Sequence, residues 1–408
     1  MSLPPRTIAA VHRSLRATQA NLGGTMMTNA ARLVALLAPW TIAACGGVEL
    51  DGGVGVRTEA LGRSDLSRAG GNKVLGVMTR NLYLGANLDP VVAALAAGQN
   101  PLPAASTAWA TVQATDFPTR AIALADEIAS ARPDLIGLQE VFKWRYGPPD
   151  SMFGGTAPAE EIAYDFLQSL QDELAARDFA YRVASQIQHV DLELPAVDFS
   201  RGVAASNYLV DVRATDRDVI LVREDLLTAN PASGHFATLA PIPGTSLSIL
   251  RGWVSVDAKF RGEWLRFVNS HPEPHSVGSG FFNSAQLSEL IAELANAALP
   301  VVLAGDLNAP ADVPGTSGST AYQALLTQGG FTDAWRELHP AVAGLTCCHD
   351  ETLSNATSTL HERIDLILYR GPIHGVSATV YGEAPADRVG GLWPSDHAGV
   401  GAELRISR

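Results

Sequence analysis

Cysteine is scarce, with three residues in 408. That excludes a mini-domain stapled by disulfides. Basic side chains are also short, because 29 Lys and Arg stand against 42 Asp and Glu, a formal net charge of −13. A broad basic face that grips nucleic acid does not fit that balance. The apolar run at residues 33–45 is thirteen long, short of the roughly 20 residues that span a bilayer. What is present is apolar: 47% hydrophobic against 17% charged residues. That excludes disorder over most of the chain and supplies a large core.

The run at 33–45 suits the apolar region of a signal peptide, which is about 7–15 residues. Its end, Ile42-Ala43-Ala44-Cys45 followed by Gly46-Gly47, resembles a bacterial lipobox, which implies lipidation of Cys45. Residues 1–45 are expected to be an extension and export signal. Residues 46–72 hold eight glycines and read as a flexible tether. The protein is then exported and membrane-anchored, facing the periplasm or the cell exterior; a secreted soluble form is the alternative. Residues 1–44 hold four of the basic residues and no acid, so the remainder carries 25 basic against 42 acidic side chains, a net −17. An anionic substrate meets that field only where cations mask it.

From residue 73 to 408 short apolar runs alternate with helical periodicity, which predicts an α/β layered body with one core. Strands are expected near 73–81, 134–141, 218–222, 264–269, 301–304 and 364–369. Helices are expected over 120–131, 160–177 and 283–298. Residues 84–117 and 143–158 read as rim insertions rich in Ala, Pro and Gly.

Polar residues cluster at strand ends. Asn81, Glu140, His271, Asp306 with Asn308, and Asp365 each end an apolar strand run, and Ser395-Asp396-His397 precedes another. Ligands of open α/β folds bind beyond strand ends, so residues distant in sequence can converge there. Carboxylates and amides without thiolates favour a hard cation such as Mg²⁺. Histidines beside carboxylates favour acid–base work. Together they point to hydrolysis of a phosphate ester.

These motifs resemble the endonuclease/exonuclease/phosphatase superfamily, with its deoxyribonuclease I-like fold. The pieces are MTRNLY, RPDLIGLQEV, FVNSH, LAGDLNAP, RIDLIL and PSDHAGV, in that order. The resemblance implies a four-layer sandwich of two mixed β-sheets flanked by helices. It implies that Asn81, Glu140 and Asp396 hold Mg²⁺, with Mn²⁺ as the alternative. Asp306 and Asn308 would attend the scissile phosphate and the attacking water. His397, oriented by Asp365, and His271 would serve as acid, base or phosphate contact. A carboxylate supporting His271 is sought in TDRDVILVR, where Asp216 lies at the matching distance and Asp218 is the alternative.

Substrate is not legible beyond a phosphate ester: nucleic acid, phospholipid or small phosphodiester. A phosphodiesterase ranks first, before a secreted nuclease and a sphingomyelinase-like lipid hydrolase. A catalytically inactive binding protein on the same fold is the alternative of another class, and the complete residue set argues against it. The membrane is met only through Cys45, and no protein partner is expected. Cys347-Cys348 with His349 and His361 lacks the second cysteine pair of a zinc site, and two packed thiols are expected. His275, in a loop stiffened by Pro272 and Pro274, reads as exposed, and Trp144 and Trp253 as packing residues.

Overall fold

The computed structural model describes residues 74–202 and 207–407. The export segment, Cys45 and the tether lie outside the described residues. No helix among the described residues is long and apolar enough to cross a membrane.

Two parallel strand pairs organise the molecule. β1 (Val74–Asn81) runs parallel to β2 (Leu135–Gln139), with Asn81 opposite Gln139. A parallel pair needs a crossover. Helices α1 (Asp89–Ala96), α2 (Leu102–Ala114) and α3 (Phe117–Ala131) supply it. Residues 84–117 are therefore not a plain rim insertion. Their alanines favour helix, and Pro90 and Pro103 sit in first turns, where a missing N–H costs little.

The first sheet grows outward from that pair. β16 (Gly399–Ile406) and β15 (Ile373–Tyr381) add antiparallel on the β1 side. β6 (Leu209–Arg223) adds antiparallel to β2, and β3 (Lys143–Gly147) and β4 (Glu161–Asp165) follow it. β5 (Tyr181–Val197) also pairs with β6. Residues 160–177 thus split into a strand and a helix, α4 (Phe166–Ala175). Pairing with β3 overrides the helical period there and leaves Ile162 exposed.

The second sheet repeats the plan. β11 (Glu263–His271) runs parallel to β12 (Val301–Asp306) across helix α5 (Phe281–Leu294). β10 (Gly252–Phe260) and β7 (Leu227–His235) extend one side. β14 (Asp365–Arg370) and β13 (Thr332–Asp333) extend the other. A two-stranded ribbon, β8 (Ala240–Pro241) with β9 (Ser248–Ile249), stands apart, and helices α6 (Thr320–Thr327) and α7 (Ala334–Leu338) complete the chain.

Alternation along the strands puts two faces of each sheet to use. Val77, Leu135 and Ile220 of the first sheet meet Val254, Phe267 and Val302 of the second in one buried layer. Leu124, Ile128 and Leu170 cover the outer face of the first sheet. Leu287, Leu290 and Leu325 cover that of the second. The result is the four-layer sandwich of two mixed sheets flanked by helices.

Candidate active site

Strand direction decides which residues meet. The C-terminal ends of the two parallel pairs carry Asn81, the last residue of β1, Glu140, just after β2, and His271 and Asp306, the last residues of β11 and β12. β14 runs antiparallel to β12, and Asp365 pairs directly with Asp306. Asp365 therefore begins its strand instead of ending it, as the sequence reading has it. β16 is antiparallel to β1, so His397, two residues before its start, comes to the same edge. Glu140 and Asn308 both adopt left-handed backbone, with φ of 54° and 48°. Such a conformation costs about 1–3 kcal/mol and collects at functional sites. A Cβ at Gly305 would run into the carbonyl oxygen of Ser270, so this glycine lets β11 and β12 close up beside Asp306.

One carboxylate oxygen sits at the centre. Oδ2 of Asp306 accepts from Nδ2 of Asn81 at 3.1 Å. It lies 3.5 Å from Nε2 of His271 and 3.8 Å from Nε2 of His397. Oδ1 of Asp306 accepts from the backbone N–H of Asn308 at 3.0 Å, and Nδ2 of Asn308 donates to the carbonyl of Pro272 at 3.1 Å. Nδ1 of His397 meets Oδ2 of Asp365 at 2.8 Å. Nδ2 of Asn81 also donates to Glu140 at 3.1 Å, while its Oδ1 accepts from the N–H of Tyr83 at 2.8 Å. The amide nitrogen, not the oxygen, thus faces the acids. Asp396 Oδ1 lies 3.3 Å from Ser395 Oγ and feels the charges of His397 and Glu140.

The two imidazoles are driven apart electrostatically. Burial disfavours charge on His397, but Asp365, Asp306 and Asp396 outweigh it and hold its pKa well above the usual histidine value. Burial, followed by the Arg251 guanidinium, pushes His271 well below that value. Burial raises Asp306 to about 7, opposed by His397 and reinforced by Asp365 and Glu140. Asp396 rises to about 6, chiefly through burial. Like groups whose environments separate their pKa values are the mark of acid–base sites.

Of the two β6 acids weighed as the support of His271, the structure puts the alternative, Asp218, nearer. Asp218 Oδ1 lies 3.9 Å from Nδ1 of His271. Asp216, the residue favoured from spacing, instead faces Arg251 at 4.0 Å, and burial raises it to about 6. Both acids point to the same face of β6, so spacing alone could not choose between them. Nη1 of Arg251 lies 3.0 and 3.4 Å from the two ring nitrogens of His271. A single in-plane hydrogen bond would leave the second nitrogen much farther off, so the guanidinium lies against the ring. Glu273 holds Arg251 from behind at 3.3 Å.

Several positioning residues carry no sequence signal. Arg120 is buried in α3 and donates to the carbonyls of Thr115 at 2.9 Å, Leu82 at 2.7 Å, Pro394 at 3.0 Å and Tyr83 at 3.1 Å. It ties the chain after Asn81 to the chain before Asp396. Ser395 Oγ donates to the carbonyl of Asn81 at 2.9 Å. Arg80, paired with Glu127 at 2.9 Å, donates to the carbonyl of His397. Thr346 Oγ1 accepts from the N–H of Asp365 at 3.2 Å. Only burial distinguishes these residues from ordinary surface polar groups.

The donor set fits a hard divalent cation. Carboxylate oxygens of Asp306 and Asp365 lie within 4.8 Å of one another and of a ring nitrogen of His397, which while protonated lines the site without ligating. Oδ1 of Asp365 is buried without a hydrogen-bond partner among the described residues. Oxygen-rich sites with an orphaned carboxylate oxygen suit Mg²⁺ or Mn²⁺. Elsewhere, Cys347 and Cys348 are joined in a disulfide, not held as two packed thiols. The peptide between them is cis, which brings their Cα atoms to 3.1 Å. His275 is exposed. Trp144 packs in the outer layer of the first sheet, and Trp253, half-buried, packs against the outer layer of the second.

The chain is similar to several solved structures. Truncated Caenorhabditis elegans TDP2 is 17% identical over 82% of this chain and 98% of that one, with a TM-score of 0.45. The human Nocturnin catalytic domain with bound sulfate anion is 16% identical over 82% and 95%, with a TM-score of 0.44. An endonuclease/exonuclease/phosphatase from Beutenbergia cavernae DSM 12333 is 19% identical over 82% and 72%, with a TM-score of 0.49. No curated protein matches the chain. The family model described as "Endonuclease/Exonuclease/phosphatase family" matches residues 108–397, a span that takes in Glu140, His271, Asp306, Asp365 and His397, and the chain belongs to that family.

Proposed function

We propose that this chain is a divalent-cation-dependent hydrolase of phosphate esters, acting as a phosphodiesterase. One observation carries the reading: Oδ2 of Asp306 stands between Asn81, His271 and His397, at 3.1, 3.5 and 3.8 Å. A phosphate laid against that oxygen would touch both imidazoles. Asp306, whose proton affinity burial has raised, takes a proton from the attacking water. Asn308, fixed by Asp306 and Pro272, orients a phosphoryl oxygen. His397, kept cationic by Asp365, stabilises the charge that grows on the phosphate. His271, on the other side of Asp306, attends the leaving oxygen. Glu140 and Asp396 are the residues proposed to hold the cation, beside Asp306 and Asp365; Asn81, expected from the sequence as a ligand, turns its Nδ2 to Glu140 and Asp306 and hydrogen-bonds them instead. That cation would offset charge developing on the phosphoryl oxygens.

The test is a panel of DNA, RNA, sphingomyelin, inositol phosphates and bis-p-nitrophenyl phosphate, with and without EDTA. Turnover of at least one ester, lost in EDTA and restored by Mg²⁺ or Mn²⁺, supports the reading. No turnover of any ester with either cation contradicts it. The proposal also places the enzyme outside the cytoplasm, tethered through Cys45. Cys45→Ser is then expected to move the protein from the membrane fraction to the soluble one, and an unchanged distribution overturns the anchor.

A further inference from the structure

A third histidine, on a bulge in β5, lies beside the site. In the ladder with β6, Gln188 pairs with Arg217 and Asp191 with Thr215. His189 and Val190 therefore stand together opposite Asp216. Two residues against one is a β-bulge, and bulges beside active sites redirect side chains. Ile187 is buried before the bulge, His189 within it, and Leu194 and Ala196 after it. Ile187 belongs to the layer between the sheets, whereas Leu194 and Ala196 belong to the outer helical layer. His189 thus enters the space between the sheets and is fully buried there.

What it meets is Asp218. Nε2 of His189 lies 2.9 Å from Oδ2 of Asp218, close though off the alignment of an ideal hydrogen bond. Oδ1 of the same carboxylate is the oxygen 3.9 Å from Nδ1 of His271. Asp218 is therefore shared by two imidazoles from different sheets, His189 on β5 and His271 on β11. The two ring nitrogens of His189 have no aligned hydrogen-bond partner among the described residues, and Asp218 meets the backbone N–H of Glu140 besides the two imidazoles. Buried polar atoms without partners are costly to keep, which makes this arrangement a poor choice for stability alone. Other groups press on the same place: Arg251 lies against the His271 ring, with Asp216 and Glu273 beyond it, and His235 stands 5.6 Å from the His189 ring.

We propose that His189 is a positioning residue: it takes one oxygen of Asp218 so that the other faces Nδ1 of His271, and through it sets the orientation and tautomer of that histidine. The inference rests on the phosphoester-hydrolase reading for its kinetic consequence. It does not need that reading for its structural one.

The test is a double-mutant cycle on the full chain, with bis-p-nitrophenyl phosphate and Mg²⁺. His189→Ala should lower kcat by about 10- to 100-fold, the usual effect of removing an outer partner of a working histidine, with KM changed by less than about twofold. Asp218→Ala should fall as far. The double variant should fall no further than Asp218→Ala alone, because the first residue acts through the second. His189→Asn, which keeps a donor on a shorter side chain, should recover about tenfold of the loss and serves if the alanine variant does not fold. Losses that multiply in the double variant, an alanine variant within twofold of wild type, or an asparagine variant with no recovery each overturn the proposal. If wild type hydrolyses no ester, the hydrolase reading fails and a second measurement decides this one by itself. In ¹⁵N-histidine-labelled protein, His271 (identified by its disappearance in His271→Gln) should occupy one ring tautomer in wild type and His189→Asn, and a mixture in His189→Ala. An unchanged tautomer in His189→Ala refutes the coupling.

Discussion

Arg120→Met removes the guanidinium that ties the Asn81 strand end to the Asp396 loop. Four carbonyls lose a charged donor. At the lower end of about 1.5–3 kcal/mol per hydrogen bond to a charged group, the gross loss is about 6–8 kcal/mol. Two effects offset it. Burial lowers the Arg120 pKa from 12.5 to about 10, and at about 1.4 kcal/mol per unit the relief is about 3 kcal/mol. Methionine also packs against Phe117, whose ring centroid lies 4.9 Å from the guanidinium carbon, for about 1 kcal/mol. The net destabilisation is about 3 kcal/mol, the low end for breaking a buried charge arrangement. With a urea slope of about 3 kcal/mol per M, the unfolding midpoint falls by about 1 M. Activity should fall by about 10-fold or more, because both chain segments at the site are loosened. Arg120→Lys keeps the charge without the planar fork and should lie between the two. A methionine variant with an unfolding midpoint within about 0.3 M of wild type and full turnover would show that the buried guanidinium holds nothing in place.

Gly305→Ala forces a Cβ against the Ser270 carbonyl; overpacking of this kind costs about 1–3 kcal/mol. It should lower both the melting temperature and turnover, and an unaltered melting curve would contradict the close approach of β11 and β12. The pH dependence of cation binding follows from Asp306. Its pKa is raised from 3.8 to about 7 in the native state. Its contribution to stability is therefore full below about pH 4 and is lost as pH rises to about 7. Mg²⁺ competes with that proton, so the rise in melting temperature on adding Mg²⁺ should grow from pH 6 to pH 8. A rise independent of pH across that window would rule out Asp306 as a residue beside the cation.

Much of the site was legible because each contributing run changes type abruptly. Apolar residues give way to Asn81, Glu140, Asp306 or His271 at the point where a buried strand leaves its sheet. The same alternation of runs pointed to an α/β layered body, and the four layers came from the family resemblance of the motifs. What stayed hidden depends on contacts made across the chain. Asp216 and Asp218 are two residues apart on one strand face, and only their neighbours in space tell them apart. Arg120 sits in a helix like any solvent-facing arginine. β5 is mostly half-exposed, and its bulge breaks the two-residue alternation by which strands are read. Helices α1 and α2 were masked by prolines that in fact open them. His189 had no motif, and only its neighbour Asp218 sets it apart.

The central claim is that phosphate-ester hydrolysis takes place at the oxygen shared by Asn81, His271 and His397. The most direct measurement is the rate of bis-p-nitrophenyl phosphate hydrolysis in Mg²⁺ by Asp306→Ala, beside wild type, with melting curves recorded for both. Turnover should drop by about 10³-fold or more while the fold persists. A folded Asp306→Ala protein that hydrolyses the ester within tenfold of wild type would contradict the account.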